Sequence, residues 1–263
     1  MGIKPLKKFG QNYLTDKNIV KKMIDCIEID RSDSVLEIGP GKGFITNELY
    51  GICNKLIGIE IDSRVIDELH QRFPDMSILH GDFIKLDIKD TDIPKPIKII
   101  GNIPFNQTGN ILFKLIDYLD LVSEAVLIIP LDIAKRIVAE SRTKEYGVLS
   151  VVFKYCSDSR LVSKLSKNVF FPKPNIEGGI IHLKFNKKLR EDIDLHLFIK
   201  IVKAAFGNRR KTIINSFRNS IFKDCDFSRL ELPLNWRAEE FSLNEFLIIT
   251  EYLQEQACLK KMN

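Results

Sequence analysis

Over the first half of the chain, short apolar runs of strand length alternate with stretches in which apolar residues return every three or four positions. Residues 34–38, 55–61, 76–79, 97–100 and 125–129 are the strand-like runs, and residues 64–69 and 111–116 carry the helical spacing between them. Ahead of the first run, Asp16 is placed to cap a helix whose apolar positions are Ile19, Val20, Met23, Ile24 and Ile27. Strands and helices alternating at roughly 20-residue intervals predict right-handed βαβ crossovers and a mostly parallel sheet covered on both faces. Residues 148–155 and 178–185 lack a helical pattern between them and predict an antiparallel pair that finishes the sheet. Past the charged stretch 186–194, residues 195–206, 212–222 and 243–253 read as helices. The expected architecture is therefore α/β: a Rossmann-like sheet, mostly parallel with a C-terminal antiparallel pair, over residues 1–188, and a small all-α domain over residues 189–263.

Composition narrows the class. The 263 residues are 44% hydrophobic and 29% charged, enough for one large globular domain and a smaller one. No apolar run approaches the roughly 18 residues that span a bilayer, and the first ten residues are basic without the apolar core of a signal peptide. A soluble, unexported, cytoplasmic protein is expected, acting as a monomer and without a membrane partner. The five cysteines are scattered and never form a C-x-x-C pair, so they are expected to be reduced, buried thiols. His70, His80, His182 and His196 show no ligand spacing, so no metal is expected; His80 is read as structural or solvated. The net charge of +5 is unevenly spread: residues 186–223 hold ten Lys/Arg against three acids, and Lys4, Lys7 and Lys8 stand in the first ten residues. These two segments could frame a polyanion, which makes Lys7, Lys8, Arg209, Arg210 and Lys211 the candidate nucleic-acid contacts.

Candidate chemistry gathers where the apolar runs end. The first strand leads into Glu37-Ile38-Gly39-Pro40-Gly41-Lys42-Gly43, a glycine-rich turn that lets backbone approach a nucleoside-type ligand. The spacing is G-x-G-x-G rather than G-x-G-x-x-G, and Glu37 would repel a pyrophosphate but help hold an ammonium group. Glu60, followed by Ile61, closes the second run where a carboxylate can take both ribose hydroxyls. Asp82 could accept from an adenine amino group while Phe83 lies against the ring. The fourth run ends in Gly101-Asn102-Ile103-Pro104-Phe105. There Asn102 can accept from an exocyclic amine, Pro104 limits where the Ile103 carbonyl points, and Phe105 offers a stacking face for a flipped adenine. Taken alone, that segment is equally a turn ending a buried strand. An acid or amide at four successive strand ends, beside a glycine-rich turn, points to a nucleoside cofactor at the carboxyl edge of the sheet.

The sequence resembles the small-subunit rRNA adenine N6,N6-dimethyltransferases, the family related to the kasugamycin-resistance methyltransferase. Phe9-Gly10-Gln11-Asn12-Tyr13-Leu14, the segments 37–43 and 102–105, Thr143-Lys144-Glu145-Tyr146-Gly147, Phe171-Pro172-Lys173-Pro174 and Asn208-Arg209-Arg210-Lys211-Thr212 are similar to its motifs and stand in its order. The resemblance implies S-adenosylmethionine as cofactor, bound through Gln11, Asn12, Leu14, Gly39, Gly41, Glu60, Asp82 and Asn102. It implies methylation at N6 of two adjacent adenosines near the 3′ end of small-subunit rRNA, with the immature small ribosomal subunit as partner and the C-terminal helical domain engaging RNA. One departure is local: Pro130-Leu131-Asp132-Ile133-Ala134-Lys135-Arg136 replaces a Gln-Lys-Glu-Val type segment leading to an arginine.

Three other readings compete. A large-subunit rRNA adenine methyltransferase of the macrolide-resistance type shares the Asn-Ile-Pro-aromatic motif, but residues 208–212 and 237–242 resemble the small-subunit family. A non-catalytic ribosome-assembly or transcription factor on the same fold would have no use for a ribose-binding acid. A nicotinamide oxidoreductase is disfavoured by the glycine spacing and by Glu37.

Overall fold

Apolar runs covered on both faces become the central strands, and a computed structural model that describes residues 4–6 and 10–256 shows how they assemble. The chain divides into two compact units: the described residues up to Ala134 with Asp158–Asn186, and Lys135–Ser157 with the described residues from Lys187 onward. The sequence places one boundary, between 188 and 189. The structure divides the chain at 186/187 and also groups 135–157 with the second unit.

In the first unit, β2 (Ser34–Ile38), β3 (Lys55–Glu60), β4 (Ser77–His80), β5 (Ile97–Asn102), β6 (Val122–Pro130), β7 (Asp158–Leu165) and β9 (Gly178–Lys184) form one seven-stranded sheet in the order β4-β3-β2-β5-β6-β9-β7. The first five strands in that order run parallel, and β9 is antiparallel to both β6 and β7. A separate two-stranded antiparallel ribbon joins β1 (Tyr13–Leu14) to β8 (Phe170–Phe171), with Tyr13 opposite Phe171 and Leu14 opposite Phe170. Helix α1 (Lys17–Ile27) starts at Asp16, whose carboxylate accepts the Asn18 N–H, and buries Ile19, Val20, Met23 and Ile27. With Leu14, Val35, Ile100, Val126, Phe170 and Ile180 these side chains make a continuous core. Each fully buried Leu, Ile or Val contributes about 1.5–3 kcal/mol. Helices α3 (Ser63–Arg72) and α4 (Thr108–Ile116) occupy the expected crossovers, whereas the glycine-rich turn opens only a four-residue helix, α2 (Thr46–Leu49).

The expected strand at 148–155 is a helix, α6 (Val148–Cys156), and the antiparallel partner of β9 is β7, directly after it. Apart from Ser150 and the exposed Lys154 the α6 residues are all apolar, and such a near-continuous apolar run does not distinguish a buried helix from a strand. What decides is its start, where the Gly147 N–H donates to the Ser150 hydroxyl at 3.0 Å. In the second unit α6 packs with α7 (Leu195–Ala205) and α9 (Leu243–Gln254), and α7 with α8 (Ile213–Arg218). α8 is shorter than the expected 212–222. The altered segment at 130–136 forms the end of β6 and most of α5 (Leu131–Ile137), with the Leu131 N–H donating to the Glu177 carbonyl at 2.9 Å.

Cys53 and Cys156 are buried as expected, Cys26 and Cys225 are only half-buried, and Cys258 lies outside the described residues. Among the described residues no group of three or more His, Cys, Asp or Glu could hold a metal ion, and no helix is long and apolar enough to cross a membrane. His80 is exposed at the end of β4.

Candidate active site

Because β4, β3, β2 and β5 are neighbours in the sheet, the four polar strand ends of the sequence stand side by side along one carboxyl edge. There a cavity of about 430 Å³ opens between those ends and the segment 10–15. Asn102, Ile103, Pro104 and Phe105 line it, and so do Gln11, Asn12, Leu14, Glu37, Gly39, Gly41, Glu60 and Ile61. Asp82 and Phe83 line a smaller adjoining cavity of about 100 Å³, which shares Gly39, Ile61 and Pro104 with the first. The structure thus brings together every catalytic and cofactor position that the sequence singled out.

The glycine turn is shaped by positive φ angles. Gly41, at φ +56°, lies so close to the Tyr13 ring that a Cβ would fall 2.9 Å from it. Gly39, at φ +69°, faces open space, so its backbone can be approached by a ligand. The buried Glu60 carboxylate holds this turn: one oxygen accepts the Gly41 N–H and the other the Asp62 N–H, each at 2.8 Å. Each oxygen retains a second lone pair for a ribose hydroxyl. Burial pushes the Glu60 carboxyl above its ordinary range, while the two backbone N–H groups work against the shift. Glu37 is fully buried at the cavity wall and accepts from the Thr46 hydroxyl at 2.6 Å. Burial pushes it up to about 8, with the Thr46 bond opposing and the nearby Glu60 charge reinforcing.

Asp62 was not singled out by the sequence, yet it organises the entrance segment. Its buried carboxylate takes two bonds from the Arg64 guanidinium, at 2.8 and 2.6 Å, and one from the Gln11 amide at 2.9 Å. Arg64 above all, then Gln11, hold its carboxyl down to about 2. Gln11 in turn accepts the Leu6 N–H at 2.7 Å. Tyr13 is a second addition. Its hydroxyl is buried with no hydrogen-bond partner, and its ring lies under the Lys42 ammonium, 5.1 Å from the centroid. Burial, with Asp62 and Glu60 nearby, pushes the phenol up to about 12, so it is a neutral donor. Tyr13 sits inside the quoted Gln11-Asn12-Tyr13-Leu14 stretch and Asp62 two residues after Glu60, so adjacency was the signal for both.

At the end of β5 the Asn102 Nδ2 donates to the Asn12 carbonyl at 2.7 Å. A carbonyl accepts only a donor, so the amide is oriented with Oδ1 as the acceptor it offers elsewhere. Phe105 is half-buried and edge-on to Phe170, with ring centroids 6.1 Å apart. Phe171, also missed as a site residue, lines the mouth of the cavity.

The surroundings fit a nucleoside cofactor with positive charge. Buried carboxyls floor the cavity, one buried phenol lacks a partner, and space lies open before Gly39. Such a site offers carboxyl oxygens as acceptors to hydroxyl and ammonium groups.

The candidate RNA contacts fall elsewhere. Lys7 and Lys8 lie outside the described residues. Arg210 and Lys211 are exposed. The Arg209 guanidinium is bound within its own unit, donating to the Lys144 and Tyr146 carbonyls at 2.8 and 3.2 Å and lying 3.5 Å from Glu239.

Comparison with known proteins supplies an independent line. Residues 3–255 match the family described as ribosomal RNA adenine dimethylase. The chain is 34% identical over 250 residues to the ribosomal RNA small subunit methyltransferase A of Chlorobium phaeobacteroides, covering 94% of this chain and 91% of that protein. It is 35% identical over 257 residues to the protein of the same name from Francisella tularensis subsp. novicida, covering 95% and 98%. Among solved structures it is similar to a dimethyladenosine transferase from Plasmodium falciparum, with a TM-score of 0.75 and 25% identity over 92% of this chain and 97% of that one. The 23S rRNA methyltransferase ErmE shares the fold, with a TM-score of 0.66 at 22% identity over 93% and 100%.

Proposed function

This chain belongs to the ribosomal RNA adenine dimethylase family, and from that membership we propose that the cavity at the end of β5 methylates N6 of two adjacent adenosines near the 3′ end of small-subunit rRNA. The protein is an S-adenosylmethionine-dependent methyltransferase of small-subunit rRNA. Bound S-adenosylmethionine supplies an electrophilic methyl group on a sulfonium centre. Glu60 would take its ribose, Asp82 and Phe83 its adenine, and Glu37 and the Tyr13 hydroxyl the polar groups of its amino-acid end.

The nucleophile is a poor one, because the N6 lone pair is delocalised into the adenine ring. Asn102 Oδ1 and the Ile103 carbonyl each accept one N6 hydrogen and so favour a pyramidal nitrogen with its lone pair free to attack. Phe105 stacks on the flipped base, worth about 1–3 kcal/mol. After the first transfer one N6 hydrogen remains, so one of the two acceptors gives up its bond for the second. The observation that carries the reading is the Asn102–Asn12 bond, which aims the amide oxygen before any substrate arrives. The exposed Arg210 and Lys211 support an RNA-engaging role for the helical unit. On this reading the protein acts as a monomer, in the cytoplasm where ribosomal subunits mature.

The test is transfer of labelled methyl groups to immature small subunits, followed by mass mapping of the modified nucleotides. Two N6,N6-dimethyladenosines side by side are expected. Label on large-subunit rRNA instead would overturn the assignment.

A further inference from the structure

Two exposed large apolar side chains lie on one strap, residues 166–177, which leads into and out of β8. Phe171 is 63% exposed and Ile176 46%. Packing does not account for Phe171: as strand alternation requires, it is the neighbouring Phe170 that is buried and meets Phe105. Phe171 nevertheless lines the cavity, so its ring stands at the mouth between the adenine site and solvent. The rest of the strap surrounds a shallow hollow of about 470 Å³ lined by Lys167, Asn168, Lys173, Asn175 and Glu177, among others. Lys173 is exposed, and Lys167 donates to the Asn175 carbonyl. An open aromatic ring beside lysines and side-chain amides is the combination that holds single-stranded nucleic acid: the ring takes a base face and the ammonium groups take phosphates. Glu177 also borders the hollow, so this is not a general polyanion patch, and stacking must carry the recognition.

We propose that this strap holds the nucleotide next to the flipped adenosine, with Phe171 stacked on its base and Lys173 at its phosphate. The inference rests on the rRNA reading above and deepens it. Flipping one adenosine into the cavity strips its neighbour of a stacking partner, and Phe171 supplies a replacement at the point where the strand leaves the cavity. Stacking is tolerant of base identity, so the strap sets the register of the strand without reading its sequence.

The test uses the full chain and immature small subunits. Phe171→Ala should raise the KM for the subunit roughly tenfold and change kcat far less, and Phe171→Trp should restore it. The melting temperature should change little, because the side chain is largely exposed, and a fall in cofactor affinity by calorimetry as large as the rise in KM would overturn the strap assignment. Lys173→Ala should reduce the slope of log affinity against log salt by about one contact. A photoreactive benzophenone side chain carried at position 171 should crosslink within one nucleotide of the methylated adenosines. If the wild-type protein methylates the small subunit but Phe171→Ala leaves KM within twofold, or crosslinks map only to distant rRNA, the strap assignment is overturned while the enzyme assignment stands. Failure of the wild-type protein to methylate small-subunit rRNA overturns the enzyme assignment instead.

Discussion

The Asn102 side-chain amide donates to the Asn12 backbone carbonyl at 2.7 Å, joining the end of the β5 strand to a segment ninety residues earlier in the chain. The bond does two jobs. It orients the amide that would receive the target amine, and it fastens the segment that closes the cavity over the glycine turn.

Asn102→Ala removes both, and Asn102→Asp removes the donor while placing a carboxylate against a carbonyl. Single-turnover methyl transfer should fall by about 100-fold or more in each, the scale of losing one oriented polar group at a reacting centre. RNA affinity measured by filter binding should be largely retained.

Glu37 predicts a pH dependence with a definite sign. Its folded value of about 8 lies above the ordinary 4.5, so between those values the folded protein holds a proton that the unfolded chain releases. This contribution is fully present below about pH 4.5 and is lost as pH rises through 8. Glu37→Gln keeps an acceptor for Thr46 and removes the ionisation. Thermal melts of the cofactor-free protein should therefore show the variant gaining on wild type with rising pH, by a few kcal/mol at pH 9, and matching it near pH 4.

The two loop glycines should respond differently. Gly41→Ala forces a Cβ against the Tyr13 ring as well as a left-handed φ, so melting temperature and cofactor binding should both drop. Gly39→Ala meets no protein atom within 4 Å and should cost only the backbone strain of about 1–2 kcal/mol. Its Cβ projects into the ligand space, so calorimetry should show a cofactor loss larger than the loss of stability.

Asp62 holds Arg64 and Gln11 together. Asp62→Asn weakens both pairings and loosens the segment that carries Asn12 and Tyr13. Cofactor affinity should fall by about 1–3 kcal/mol, the cost of unpairing a charged hydrogen-bonded group.

Within the basic segment, Arg209 and its neighbours should separate. Arg209→Ala removes bonds to the Lys144 and Tyr146 carbonyls and should lower the melting temperature. Charge reversal at Arg210 and Lys211, both exposed, should spare stability, weaken RNA binding and flatten its salt dependence. Equal effects on RNA from all three would show that Arg209 also reaches the rRNA.

Some of this is legible in the sequence for local reasons. Strand-length apolar runs, a capping Asp16 and three glycines in a turn are patterns that neighbouring residues generate. A parallel sheet then gathers the ends of its strands at one edge, which is why Glu37, Glu60, Asp82 and Asn102 group together from their order along the chain alone. The helix at Val148–Cys156 escapes the sequence pattern because a near-continuous apolar run, broken by Ser150 and Lys154 alone, does not separate a buried helix from a strand. Phe170 and Phe171 cannot be ranked by sequence, since two adjacent aromatics are told apart only by which face of the ribbon meets Phe105.

The sequence by itself therefore determined the sheet edge that carries the candidate site and the residue types there, because these follow from periodicity, turn chemistry and order along the chain, while its motifs carried the family resemblance. Only the tertiary structure decided which atom of Asn102 is offered, that Glu60 braces the glycine turn, that Asp62 anchors the entrance, and that Arg209 is bound within its own unit. Each of those depends on where a lone pair or a donor points. That direction is set by partners brought near only when the sheet and its coverings pack, and local sequence does not encode the distance between them.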